Sequence, residues 1–204
     1  MRARWVDFDA LPRPAWDRLL AVSPSATPFS RWTFHRAWWD AYGAMAEPRY
    51  LVCCWQDEPG IVAIVPLMTR VSPPEAVPGL AGRSMFMAAS YHADYATVLC
   101  DPAHLSAVAR CVADVLSHDP RDAWDAIDLR RLRHDDPATD ALAGALALAM
   151  PSGRVEVEQE DVPRGHAPRE PRLGGLPRDA RQEGSPRDPP QAPTRRGRGA
   201  SAVP

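Results

Sequence analysis

Lysine is absent from the 204 residues, and arginine supplies all 24 of the permanently cationic side chains. With 26 Asp and Glu, the formal net charge is only −2. This balance gives no general reason to expect nucleic acid or an anionic membrane as a partner. The abundance of arginine, alanine and proline in place of lysine is typical of a GC-rich coding sequence.

Long apolar runs are missing as well. No stretch of the sequence reaches the roughly 18 consecutive apolar residues that a membrane-spanning helix needs. Residues 1–5 lead into mixed polar sequence rather than into the apolar core of a signal peptide. We therefore expect a cytoplasmic protein without a membrane span.

Metal-ligand and redox spacings are not found either. The four cysteines match no C-x-x-C pattern and are interpreted as buried free thiols: Cys53, Cys54, Cys100 and Cys111. Three histidines stand apart from any cysteine or carboxylate at ligand-like spacing: His104, His118 and His134. The sequence predicts no metal site.

Aromatic residues are concentrated in residues 29–67, which hold four of the seven tryptophans. Rings this large bury much apolar area, so the segment should lie in a core or line a binding cleft. Residues 30–43 predict a helix in which Ser30 is the N-cap and Gly43 ends the last turn. Phe34, Trp38 and Tyr42 recur every four residues and predict its buried face. The other face is interpreted as solvent-exposed, or alternatively as the rim of a cleft: Arg31, His35, Arg36 and Asp40.

The rest of the chain alternates between strand and helix patterns. It predicts a strand at 4–8, a helix at 15–22, a β-hairpin formed by 50–55 and 61–67, strands at 84–88 and 95–99, a helix at 103–117, a strand at 126–129, a helix at 137–150 and a strand at 154–157. Pro66 lacks a backbone donor, so it should lie near a strand end, a bulge or a sheet edge. This order predicts a mixed α/β fold with an early hairpin and later βαβ crossovers.

Several short motifs occur in an order and spacing that resemble a known family. They are Thr27-Pro-Phe29, Ala37-Trp-Trp39, Tyr42-Gly43, residues 60–67, Asp94-Tyr95, and residues 124–129 before Leu132. In these motifs, residues 5–162 resemble the N-terminal part of the GNAT-superfamily acyltransferases of the FemAB-like and CelD type, the latter associated with cellulose biosynthesis.

The resemblance implies a GNAT-like mixed sheet flanked by helices in residues 1–162. It also implies an N-acyltransferase that moves an acyl group from acyl-CoA, such as acetyl-CoA, to a small-molecule amine; in FemAB relatives the donor is an aminoacyl-tRNA. The CoA pyrophosphate of this family lies at an Arg- and Gly-rich loop before a helix. Nothing in residues 1–162 matches that loop, so the resemblance places the cofactor site in a second lobe. The alternative is a non-catalytic binding lobe that uses its Trp-rich face.

Residues 90–95 form the one compact polar constellation of residues 1–162. His92 could act as a base, and Asp94 could orient it or bind the substrate amine. The ordinary alternative is that both side chains satisfy backbone groups of a turn. The residues predicted to line a substrate cleft are His92, Asp94, Tyr95, Trp38 and Trp39.

Residues 163–204 differ sharply from the sequence before them. They contain nine prolines and nine arginines but no Ile, Phe, Trp or Tyr, and their net charge is +5, against −7 for residues 1–162. A segment of this composition cannot bury enough apolar area to fold, so we expect a disordered tail. The alternative reading is a basic tail for anionic partners.

The genetic code offers a further interpretation of this tail. Shifted by one base, the codons of residues 172–191 can encode a Trp-, Tyr- and Leu-containing segment followed by a Lys- and Arg-rich one, which resembles the continuation of the family. We hypothesise that a frameshift near Val162 replaced the second lobe with an out-of-frame tail. The chain alone would then be inactive as a transferase.

Sequencing the coding DNA tests this hypothesis directly. We expect the plus-one frame downstream of the Val162 codon to stay open and to encode acyltransferase-like sequence. An early stop codon in that frame, or an unrelated peptide, would rule the frameshift out.

Overall fold

The computed structural model of the chain describes residues 1–57, 60–72, 82–118 and 124–151, all within one unit, Met1–Gln159. These residues form four helices, α1 (Arg13–Val22), α2 (Trp32–Tyr42), α3 (Leu105–His118) and α4 (Pro137–Ala149). They also form six strands, β1 (Arg2–Val6), β2 (Glu47–Cys54), β3 (Ala63–Ser72), β4 (Gly82–Met87), β5 (Leu99–Cys100) and β6 (Ala126–Asp128). The mixed α/β class is confirmed. The strand predicted at 154–157 and the tail at 163–204 lie outside the described residues.

The strands form one mixed sheet in the order β1-β2-β3-β4-β6. The first four are antiparallel neighbours, and β6 is parallel to β4. The predicted hairpin is confirmed as β2 and β3, with Cys53 opposite Ala63 and Glu47 opposite Thr69. The short strand β5 pairs antiparallel with the start of β3 instead of joining the end of the sheet.

Both faces of the sheet are buried, because side chains alternate between two cores along each strand. In β2, Tyr50 and Val52 belong to a core shared with α1 and α2, whereas Leu51 and Cys53 belong to a core shared with α3 and α4. Burial on both faces explains why β2 and β3 read as almost continuous apolar runs. In the described part of the chain, no helix is both long and apolar enough to cross a membrane.

Helix α2 begins later than its sequence predicts. Its N-cap is Arg31, and Ser30 instead closes the preceding 3-10 turn, Pro28–Ser30, where its Oγ accepts a hydrogen bond from the Thr27 N–H at 3.2 Å. The predicted Ser30 N-cap is therefore wrong. The end of the helix is confirmed, since the Gly43 N–H donates to the Trp39 carbonyl.

The buried face of α2 is rotated by about one residue from the predicted one. His35, Trp38 and Trp39 are buried at spacings i, i+3 and i+4, whereas Tyr42 is 38% exposed. The prediction that His35 faces solvent is wrong. A stripe with the helical period of 3.6 residues follows i+3 as well as i+4, and the sequence reading followed only i+4.

Pro66 lies inside β3, opposite Tyr50 of β2, whereas the sequence predicts a position near a strand end, a bulge or a sheet edge. The Pro66 carbonyl accepts a hydrogen bond from the Ala88 N–H at 2.7 Å, on the side of β3 that faces β4. A residue's nitrogen and carbonyl point to the same side of a strand, so the missing donor costs no bond to β2.

The sheet opens beside Pro66. The strand β4 pairs with β3 only through Leu67–Ser72, and β5 pairs only with Ala63 and Ile64. Residues 95–99 were predicted as a strand, but only Leu99 belongs to β5, and Ala96 instead forms an isolated parallel bridge with Leu132. The two neighbours of β3 therefore leave a gap on this edge at Val65 and Pro66, beyond the hydrogen bond from Ala88 to Pro66.

Candidate functional site

A shallow pocket with about 10 Å³ of enclosed space lies beside Pro66 on the face of the sheet covered by α1 and α2. Its walls are mostly apolar, formed by Trp16, Phe29, Pro66, Ala88, Ala93, Ala96 and Leu99. Four polar residues complete the lining: Ser30, His35, Tyr95 and Thr97. Apolar walls with a few convergent polar groups are typical of small-ligand sites.

His35 is the most constrained polar residue of the pocket. Its side chain is 4% exposed, and its Nδ1 lies 2.8 Å from the hydroxyl of the fully buried Tyr50. The indole N–H of Trp39 donates to the same hydroxyl at 2.9 Å. Three polar groups thus meet inside an aromatic core.

The donors and acceptors around Tyr50 assign the tautomer of His35. An indole N–H can only donate, so the Tyr50 oxygen accepts a hydrogen bond from Trp39. The Tyr50 O–H then donates to His35 Nδ1, which is its partner among the described residues. Nδ1 then accepts, and the ring proton is on Nε2. Burial lowers the pKa of His35 from 6.5 to about 3, so the ring is neutral at physiological pH, and burial raises the pKa of Tyr50 above its usual value.

Two of the remaining polar side chains in the lining already have partners. The Thr97 hydroxyl donates to the buried Asp136 carboxylate at 2.5 Å, and Ser30 accepts from the Thr27 N–H. Among the described residues, no hydrogen-bond partner occurs for the Nε2–H of His35 or for the hydroxyl of Tyr95, so these groups are left for a ligand. No Arg, Asp or Glu occurs among the described lining residues, so none of these charged side chains lines the pocket itself.

The structure brings two of the predicted cleft residues into direct contact. The indole N–H of Trp38 donates to Nδ1 of His92 at 3.0 Å, and the His92 ring stacks on Tyr42 with 4.2 Å between ring centroids. Because Nδ1 accepts, the neutral His92 ring carries its proton on Nε2. In this arrangement the free nitrogen of His92 is a hydrogen-bond donor rather than a base.

The other predicted residues are distributed around this centre. Tyr95 lines the pocket and is 40% exposed, and Trp39 is connected to the pocket through Tyr50 and His35. Asp94 is exposed on the same loop as His92, but within the described chain no hydrogen bond joins the two. Trp38 and Trp39 are both buried in the core.

Sequence reasoning missed Tyr50 as a site residue, and it interpreted His35 as solvent-exposed, with the rim of a cleft as the alternative. One signal was available for His35, which precedes Trp39 by four residues and therefore shares its helix face. Nothing local marked Tyr50, whose role depends on residues 11 and 15 positions earlier in the chain.

No family model matches the chain, and neither a curated protein nor a solved structure matches it. In the ranges that the structure describes, no group of three or more His, Cys, Asp or Glu residues is arranged to hold a metal ion.

The buried neutral His35 should make stability depend on pH. Below pH 6.5, the pKa of His35 in the unfolded chain, His35 is protonated in the unfolded chain. In the folded chain it stays neutral down to about pH 3. The free energy of unfolding therefore falls as the pH falls, and His35 alone should remove about 2 kcal/mol between pH 7 and pH 5. Urea unfolding followed by tryptophan fluorescence measures this slope.

The matched variants are His35→Gln, which removes the titrating ring, and His118→Gln, which removes an exposed histidine at the end of α3. We expect the slope to become shallower only in the first. An identical slope in the wild type and His35→Gln would contradict the burial of a neutral His35.

Proposed function

We propose that this chain is a lobe of an N-acyltransferase and that the pocket beside Pro66 holds the acyl end of an acyl-CoA. The observation that supports this most strongly is the neutral, apolar-walled pocket with one fixed hydrogen-bond donor at the opening of the sheet. An uncharged acyl group combines an apolar chain with one carbonyl acceptor, and the pocket offers a matching environment for each part.

The pocket is small and its described lining carries no charge, which suits the acyl end alone. Its enclosed space is about 10 Å³, room for a group of about the size of a water molecule, so a whole acyl-CoA cannot enter it. The described lining contains no arginine, so a diphosphate would have to be bound by other residues. This division agrees with the expectation that the nucleotide site belongs to a second lobe. When bound, acyl-CoA would supply a thioester carbonyl at the pocket.

The loop between β4 and β5 supplies groups for an amine acceptor. Tyr95 borders the pocket, and Asp94 beside it is an exposed carboxylate that can attract an ammonium group. His92 on the same loop presents its Nε2–H, because Nδ1 is occupied by Trp38. An acceptor approaching over this loop would meet the acyl group at the mouth of the pocket.

The alternative of a binding lobe with a Trp-rich face receives less support. Trp38 is 4% exposed and Trp39 is 9% exposed, so neither ring offers a broad surface to a partner. Both indole N–H groups are used internally, by His92 and by Tyr50. These tryptophans hold the pocket region together from inside.

A small thioester tests the acyl pocket without requiring a nucleotide site. We expect S-acetyl-N-acetylcysteamine to quench the fluorescence of Trp16, which lines the pocket, and to raise the melting temperature of the chain. Ala93→Leu should fill the pocket and weaken this binding about tenfold, by about 1.4 kcal/mol. Ala147→Leu on the exposed face of α4 is the control and should bind like the wild type.

The proposal fails if the thioester does not bind to the folded chain. It also fails if Ala93→Leu binds the thioester as tightly as Ala147→Leu, because the binding would then lie elsewhere.

A further inference from the structure

This inference rests on the proposed function and concerns His35, the buried polar residue in the lining of the pocket. We propose that the Nε2–H of His35 donates a hydrogen bond to the carbonyl oxygen of the bound acyl group and holds that carbonyl in place for attack. His35 would thus be a catalytic residue that keeps its proton throughout the reaction.

The orientation of the ring is fixed from several sides. Nδ1 is bonded to Tyr50, whose hydroxyl is in turn bonded to Trp39, and the ring contacts Trp16 with 4.9 Å between centroids. Phe8 packs at a longer distance of 6.4 Å. A ring held in this way cannot flip without leaving the buried Tyr50 proton unpaired, which costs more than an ordinary hydrogen bond contributes. The Nε2–H is therefore a preorganised donor.

The free nitrogen of His35 is the second observation that points to a ligand. His35 lines the pocket while being almost completely buried, and no hydrogen bond of its Nε2 occurs within the described residues. Buried donors in native proteins are satisfied by protein, water or ligand. In the described part of the lining, the Tyr95 hydroxyl is the other polar group without a hydrogen-bond partner, and Tyr95 is 40% exposed.

The charge of the pocket decides which kind of carbonyl compound can accept the hydrogen bond from His35. The ring is neutral and the described lining carries no cation, so a carboxylate would enter the pocket without a counter-charge. Burying an unpaired anion is far more costly than burying a carbonyl that receives a hydrogen bond. We therefore expect the pocket to accept a thioester and to reject the free carboxylate.

The reaction balances with His35 as a donor only. The ammonium group of the acceptor first loses one proton to water. The neutral amine nitrogen then forms a bond to the carbonyl carbon, and the carbonyl electron pair moves to the oxygen that His35 Nε2–H contacts. Return of that pair breaks the carbon–sulfur bond and releases the thiolate, while the amine proton passes to water. The hydrogen bond strengthens as negative charge develops on the oxygen, so it favours the transition state over the bound thioester.

Imidazole ¹⁵N NMR on the full chain tests the donor without any substitution. We expect His35 in the free protein to be the neutral Nε2–H tautomer, with Nδ1 as an acceptor. S-acetyl-N-acetylcysteamine should move the Nε2–H resonance downfield. The thioether S-ethyl-N-acetylcysteamine, in which CH₂ replaces the carbonyl, should bind more weakly and leave that resonance nearly unchanged, and acetate should not move it.

Two substitutions distinguish the roles of the two nitrogens of the His35 ring. In His35→Gln the side-chain amide reaches the position of Nε2 and keeps a donor in the pocket, whereas in His35→Asn it reaches the position of Nδ1 and keeps only the contact to Tyr50. The wild type should prefer the thioester to the thioether by about tenfold, as one hydrogen bond allows. His35→Gln should retain most of this preference, and His35→Asn should lose it.

The outcomes distinguish this inference from the proposed function. If the thioester binds in the pocket, as shown by Ala93→Leu, but the His35 resonance does not respond, the acyl pocket stands and the role of His35 is overturned. A His35 proton on Nδ1, or equal affinity for thioether and thioester in the wild type, also overturns it. If neither compound binds, the acyl pocket itself is wrong.

Discussion

The hydroxyl of Tyr50 is the group on which the rest of the site depends. Tyr50 is completely buried, and its hydroxyl accepts a hydrogen bond from the indole N–H of Trp39 and donates one to Nδ1 of His35. An aromatic core tolerates these three polar groups only because each satisfies another, since any one left alone would bear the full cost of its desolvation. The same bonds join β2 to α2 and fix the His35 ring, which carries a donor into the pocket.

The pocket itself follows from how the sheet is built. Strand β3 is buried on both faces and has different neighbours along one edge, with β4 beside its second half and β5 beside its beginning. Pro66 lies between these two pairings and cannot donate the hydrogen bond that a continuous strand would require. The gap therefore forms at a residue whose backbone nitrogen has no hydrogen to leave unpaired. Aromatic side chains of α1 and α2 cover this gap.

Much of the fold was readable from local pattern. The β2–β3 hairpin, α3 and α4 follow from runs of apolar residues and from helical periodicity, and they occur close to where the sequence predicts them. Less of the site could be predicted from the sequence, because the contacts that form it join residues that are distant in the chain. His35 reads as a surface residue until Tyr50 is placed beside it, and Pro66 reads as a strand end until the ends of β4 and β5 are known. Composition and periodicity do not report such partnerships.

A crystal structure of the full chain with S-acetyl-N-acetylcysteamine bound is the most direct measurement of the central claim. We expect the acetyl group inside the pocket beside Pro66, with its carbonyl oxygen about 2.7–3.2 Å from His35 Nε2 and with His35 Nδ1 still hydrogen-bonded to Tyr50. A thioester bound with its carbonyl turned away from His35, or bound outside the pocket, would contradict it.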